Sequence, residues 1–245
     1  MQFKIAQKLV LATLALSGAA FAQTTAPEPE YTLAFNAGLV TDYRYRGISQ
    51  SRLKPALQGG IDWTHKSGFY LGTWASTIKW IKDAGGDAPV EVDFYGGYRF
   101  ELSGIALDAG LLRYQYFSHD LATSPNTTEA YIAGTAGPVT LKYSHSLTDT
   151  FGFADSKNSY YLDASAVFDL GSGFTLVPHV GYQKIKRFQP GSYTDYSLAL
   201  NKDFGNGFIG SATIVGTDSD SSVYVTPSGK HTGKTGLVLG VKYNF

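Results

Sequence analysis

The stretch VEVDFYGGYRFEL, from Val90 to Leu102, sorts its side chains onto two faces. Val90, Val92, Phe94, Tyr98, Phe100 and Leu102 share one, and Glu91, Asp93, Tyr95, Arg99 and Glu101 share the other, as a strand with a period of two requires. The same pattern sets Val139, Leu141, Tyr143 and Leu147 against Thr140, Lys142, Ser144 and Ser146. Twelve such segments can be read, at 31–43, 55–65, 69–77, 89–102, 105–117, 128–136, 138–147, 159–170, 174–184, 194–204, 208–216 and 235–245. Most are far longer than the about 5–6 residues usual in soluble sheets. They match the roughly 9–11 residues that carry a tilted strand across a bilayer. After the leader, no apolar run is long enough to cross as a helix, and the abundant Gly, Tyr and Phe favour strands over helices.

Connections between the segments alternate in length. Long links around RGISQSRLK, KWIKDAGGDA, SHDLATSPN, TDTFGFADSKN, KRFQPGS and 217–234 are separated by short ones at KSG, Ser103-Gly104, Gly137, GSG and GNG. An up-and-down barrel with one rim outside the cell and the other in the periplasm has this asymmetry, whereas a soluble sandwich gives no reason for it. Closure is a hydrogen-bonding requirement: an unpaired N–H or C=O in hydrocarbon costs several kcal/mol, so a spanning sheet has no free edge. The fold expected is therefore an all-β transmembrane up-and-down antiparallel β-barrel of about twelve strands, with both ends of the chain periplasmic. Val223, Tyr224 and Val225 leave room for a further hairpin, which would make fourteen.

At the N-terminus, Lys4 and Lys8 precede an apolar run from Leu9 to Leu16 and an A-x-A site ending at Ala22. This reads as a cleaved signal peptide over 1–22, with residues 23–245 as a single barrel domain. Removing Lys4 and Lys8 leaves 18 Lys and Arg against 20 Asp and Glu, so the charge offers no support for nucleic-acid binding. Cysteine is absent, which excludes disulfides and thiolate metal sites. The five histidines stand singly, and no metal or cofactor is expected.

Aromatic residues flank the short links. Trp63, Phe69, Phe100, Phe168, Phe174, Phe204 and Phe208 are expected to form a girdle at the periplasmic interface, with Tyr243 and Phe245 from the last strand. Outer-membrane lipids and lipopolysaccharide are the partners expected for the outward surface.

Three stretches, YRYRGISQS (Tyr43–Ser51), SGFYLGTWAS (Ser67–Ser76) and EVDFYGGY (Glu91–Tyr98), resemble the TorF-like porins of proteobacteria, with a weaker likeness at TEAYIAG (Thr128–Gly134). The likeness extends over nearly the whole mature chain. It implies an outer-membrane barrel that passes small solutes, and it brings no substrate or catalytic residue.

With the apolar faces toward lipid, the lumen receives Asp42, Asp62, Glu91, Asp93, Glu101, Asp108, Glu129, Asp163, Asp169 and Asp195 against Arg44, Arg46, Arg99, Lys142 and Lys242. Such an acidic excess attracts cations, unless the charges pair across the lumen and serve structure. Arg99 has Glu91, Asp93 and neighbouring strands as candidate partners. Alternation sends Arg44 and Arg46 inward, either as an anion-holding constriction or as rim ion pairs with Asp42, Glu91 or Glu129; Tyr43 and Tyr45 then face lipid.

A barrel hydrolase would need a serine and a histidine together. At Ser144-His145-Ser146 they fall on opposite faces unless a bulge intervenes, so no catalytic residue is expected. Asp218 and Asp220 could hold a hard cation weakly, or simply be solvated. The expected function is an outer-membrane channel for small hydrophilic solutes; a plugged barrel with partner-binding outer loops is the alternative.

The chain ends LVLGVKYNF, with Leu237, Leu239, Val241, Tyr243 and Phe245 at every second position. This resembles the signal by which barrel-insertion machinery recognises its clients, departing from it at Val238. It places Phe245 in the girdle beside Tyr31.

Overall fold

The computed structural model describes residues 29–245. The expected signal peptide lies outside the described residues. From the N-terminal end, β1 (Tyr31–Val40) leads into a short hairpin, β2 (Arg44–Tyr45) and β3 (Ile48–Ser49). The wall resumes with β4 (Ala56–His65), β5 (Phe69–Thr77), β6 (Val90–Leu102), β7 (Ile105–Gln115), β8 (Thr127–Ala136) and β9 (Val139–Ser146). One strand interrupted at Val167 follows as β10 (Tyr160–Ala166) and β11 (Phe168–Gly171). The last four are β12 (Phe174–Lys184), β13 (Tyr193–Gly205), β14 (Phe208–Thr217) and β15 (Gly236–Asn244).

Each wall strand pairs antiparallel with the next, β10 pairs with β12, and β1 pairs with β15. The result is a closed barrel of twelve strands. Closure uses Leu39 opposite Val241 and Asn36 opposite Asn244. The amide of Phe245 then donates to the carbonyl of Phe35 at 3.0 Å, so the last residue sits beside Phe35 and not Tyr31.

Two-residue turns close the short-turn end. Ser103-Gly104, Ser172-Gly173 and Asn206-Gly207 all have positive φ at both positions, the geometry whose twist matches that of a two-stranded hairpin. The aromatic residues expected near these turns all point outward. Phe69 meets Tyr98 with ring centroids 4.7 Å apart, Phe208 meets Tyr243 at 4.5 Å, and Tyr243 meets Phe245 at 4.8 Å. Trp63 stacks on His65, while Phe174 and Phe204 flank the ammonium of Lys202. Phe100 and Phe168 are exposed on the same outer surface.

The long-loop end departs from the sequence reading at one place. The first strand stops at Val40 instead of continuing to residue 43, and the chain turns into the barrel. Tyr43 and Tyr45 therefore do not face outward: Tyr43 is 7% exposed, and Tyr45 packs edge-on against Tyr114 and Phe151. The outward tyrosines at this end include Tyr143, Tyr160 and Tyr182, on neighbouring strands with centroids about 6 Å apart.

The packed core lies inside this end of the barrel. The link after β5 carries a single helical turn, α1 (Trp80–Asp83), and buries Ile78, Ile81 and Ala88 against Tyr43, Tyr114 and Tyr116. The segment that could have held two more strands does not span. Tyr224 packs on Tyr193 with centroids 5.1 Å apart, and only an isolated bridge joins Val225 to His231.

Candidate functional site in the lumen

Between β2 and β3, Arg46 and Gly47 form a two-residue turn with φ of 45° and 76°. The residue at Gly47 must be glycine for a second reason, since a Cβ there would lie 2.4 Å from Thr217 and 2.8 Å from Asp195. The hairpin tip is thus pressed against β13 and β14. Arg46, a non-glycine residue in the left-handed region, is held there by side-chain contacts. Its guanidinium donates to both carboxylate oxygens of Glu129 on β8, at 3.0 and 2.7 Å, and to Gln183 Oε1 on β12 at 2.6 Å. It also covers the ring of Tyr161 on β10 at 4.2 Å. Three strands are tied to one side chain, in the fork geometry that distinguishes arginine from lysine.

The base of the hairpin is organised by Asp42. Its Oδ1 accepts from the hydroxyls of Ser49 at 2.5 Å and Ser51 at 3.1 Å, and its Oδ2 accepts from Arg44 Nε at 2.5 Å. Arg44 also donates to the carbonyls of Gly47 and Thr232. Tyr43 donates to Glu91 Oε1 at 2.5 Å, and Tyr116 donates to Oε2 of the same carboxylate at 2.5 Å. Asp93, next to Glu91 on the inward face, is buried and leaves Oδ1 without a partner among the described residues.

A cavity of about 560 Å³ lies beneath the hairpin, and one of about 340 Å³ lies above it among the long loops. Tyr45 lines both. The hairpin is therefore the partition between the long-loop cavity and the lumen. On the lower cavity wall, His179 Nε2 is 2.8 Å from Asp163 Oδ2 and its Nδ1 is 3.5 Å from Asp195 Oδ1. Tyr161 donates to Asp195 Oδ2 at 2.8 Å. Lys142 lines the same cavity, with its ammonium 4.1 Å from the centre of the Tyr131 ring.

Of the residues expected in the lumen, Asp42, Arg44, Arg46, Glu91 and Glu129 form one hairpin-centred network. Asp163, Asp195 and Lys142 line the cavity below it. Asp62 accepts from Tyr95 at 2.6 Å on the opposite wall. Arg99 takes a partner the strand pattern did not single out, Asp108 directly across on β7, at 3.3 Å. Glu101 lies exposed near the short-turn end. Gln183, His179, Tyr114, Tyr116 and Tyr161 were missed. The alternation on β7, β10 and β12 points four of them inward, with Tyr116 just past the end of β7, but ionised groups alone leave out tyrosine and glutamine, and a histidine met singly carries no pattern.

The Ser144-His145-Ser146 stretch shows no bulge. Both serines are buried inside, while His145 faces outward between Tyr143 and Asn158. Asp218 accepts the amide of Thr194, and Asp220 accepts the amide and hydroxyl of Ser222. Each carboxylate is thus engaged locally.

Residues 23–245 match the family described as "Bacterial protein of unknown function (Gcw_chp)". The chain belongs to the Gcw_chp family. No curated protein matches it. Among solved structures, this Gcw_chp chain is similar to the KdgM porin, with a TM-score of 0.57 at 11% identity over 87% of this chain and 98% of that one. KdgM in complex with disordered oligogalacturonate gives 0.56 at the same identity and coverage. The NanC porin gives 0.53 at 11% identity over 87% and 99%. At such identities the likeness to these porins is one of fold.

Proposed function

We propose that this Gcw_chp barrel is an outer-membrane channel for small hydrophilic solutes, constricted by its own inward hairpin and favouring cations over anions. The observation that carries the reading is the polar lumen cavity that ends at the Arg46–Glu129–Gln183 tie. Support comes also from the porin neighbours, from the resemblance to TorF-like porins, and from the leader that reads as an export signal.

Charge bookkeeping favours cations. Arg44, Arg46 and Arg99 each face a carboxylate, on Asp42, Glu129 and Asp108. Among the described residues Asp62, Glu101 and Asp169 then have no cationic partner, and Asp163 and Asp195 share the single imidazole of His179, against Lys142 and Lys242 without an anionic one. A narrow low-dielectric passage lined this way concentrates cations and repels anions. KdgM is solved with an acidic oligosaccharide; this lumen lacks the surplus of free arginine and lysine that a polyanion would need.

Outward aromatics at the short-turn end form the interfacial girdle in this reading, and Phe245 is the residue offered to the insertion machinery. Deleting Phe245 is expected to lower outer-membrane yield more than it destabilises barrels already assembled.

The test is current through the refolded barrel in a planar bilayer. Stepwise conductance with a cation-selective reversal potential in a salt gradient is expected. Replacing residues 42–51 by a short flexible linker is expected to raise the single-channel conductance. Anion selectivity would remove the charge argument. Silence over many insertions, before and after that replacement, would instead indicate a plugged barrel.

A further inference from the structure

Lys142 on β9 and Asp163 on β10 stand directly opposite each other, both on the inward face. Directly opposed residues have Cβ atoms about 5 Å apart, and opposite charges so placed normally pair. These two do not. The ammonium of Lys142 lies over the ring of Tyr131, and the carboxylate of Asp163 turns to His179. Their charged ends diverge, the ammonium toward β8 and the carboxylate toward β12, and both line the wall of the 560 Å³ cavity.

Two carboxylates share the single imidazole of His179, since Asp195 approaches its other nitrogen. Even with the ring fully protonated, one negative charge remains beside the positive charge of Lys142. Ser144 and Ser197 add hydroxyls to this wall, while Trp74 and Leu112 give the cavity an apolar side. The volume is in the range of about 300–1,000 Å³ typical of small-molecule sites.

We propose that the lumen cavity binds a small zwitterion of the amino-acid class, its carboxylate on Lys142 and its ammonium on Asp163 and Asp195. The inference rests on the channel reading and names the solute class of the same lumen. A simple cation meets Lys142 on this wall, and a simple anion meets the two aspartates. A zwitterion answers both charges at once, and Cβ atoms about 5 Å apart on opposed strands leave Lys142 and Asp163 room to converge on the neighbouring charges of an α-amino acid. An apolar side group would have Trp74 and Leu112 to meet.

The experiment compares L-leucine with 4-methylpentanoate, which keeps only the carboxylate, and with isoamylamine, which keeps only the ammonium. Binding to the full-length refolded barrel is followed by calorimetry, and block of ionic current is followed in the same preparation. Leucine is expected to bind at least about tenfold more tightly than either control, the discrimination that one charge-assisted contact supplies. Lys142→Met is expected to abolish the preference of leucine over isoamylamine, and Asp163→Asn its preference over 4-methylpentanoate. Should Asp163→Asn fail to fold, Lys142→Met and its rescue by Lys142→Arg decide the matter. Equal binding of the three probes, or unchanged leucine binding in the variants, would overturn the inference. Conductance without leucine preference leaves the channel reading standing; leucine binding without conductance overturns the channel and leaves a solute-binding barrel.

Discussion

At the short-turn end, Ser103-Gly104 or Asn206-Gly207 reverses the chain within two residues, and the flanking aromatics meet neighbours across the same hairpin or the adjoining strand. At the long-loop end the chain between Val40 and Ala56 enters the barrel and finds partners far along the sequence. Arg46 reaches Glu129 and Gln183, 83 and 137 positions away, and Arg44 reaches the carbonyl of Thr232, 188 positions away. One end is closed by local geometry, the other by long-range polar contacts in a buried setting. Stability at the two ends should therefore respond differently to single substitutions, because an exposed contact loses little and a buried charge left alone loses much.

The sharpest way to break this contrast is Glu129→Ala. It strands the Arg46 guanidinium among Tyr45, Tyr161 and Gln183, with side chains only 6% and 1% exposed in the intact pair. Removing one partner of a buried pair costs about 3–5 kcal/mol, to be read from urea unfolding of the barrel refolded in vesicles. A loss under about 1 kcal/mol would mean that the tie does not hold the hairpin. Tyr43→Phe is next. It removes a donor to the Glu91 carboxylate and is expected to cost about 1.5–3 kcal/mol, with Tyr116 still in place.

At the other end the effects should be smaller. A double-mutant cycle on Phe208 and Tyr243 is expected to give a coupling of about 0.5–1.5 kcal/mol, the range for an aromatic pair. Arg99→Ala opens a pair whose side chains are 49% and 28% exposed, and about 1 kcal/mol or less is expected in the same unfolding assay. If Arg99→Ala proved as damaging as Glu129→Ala, the distinction between the two ends would fail.

Much of the wall is legible in the sequence because its physics is local. Long strands that must face lipid on one side and a polar lumen on the other have to alternate, and two-residue turns need residues that tolerate positive φ. The alternation assigned Glu91, Glu129, Asp163 and Asp195 to the inward face without any knowledge of their partners. It failed at Tyr43 and Tyr45, because an inward hairpin strand and a wall strand alternate alike. Gly47 was the one local hint that the chain reverses there. Partner choice was equally hidden: Arg99 had several carboxylates within plausible reach, and the register of β6 on β7 selected Asp108.

The sequence alone determined that this chain closes a β-barrel of about twelve strands, since period-two alternation, strand length and alternating link length each depend only on neighbouring residues and on the thickness of a bilayer. Tertiary structure decided that the first long link lies across the lumen, which carboxylates receive the arginines, and that Lys142 and Asp163 stand opposed without pairing. Those outcomes depend on which side chains the closed ring brings together, and residues 83 or 137 positions apart become neighbours only once the barrel has closed.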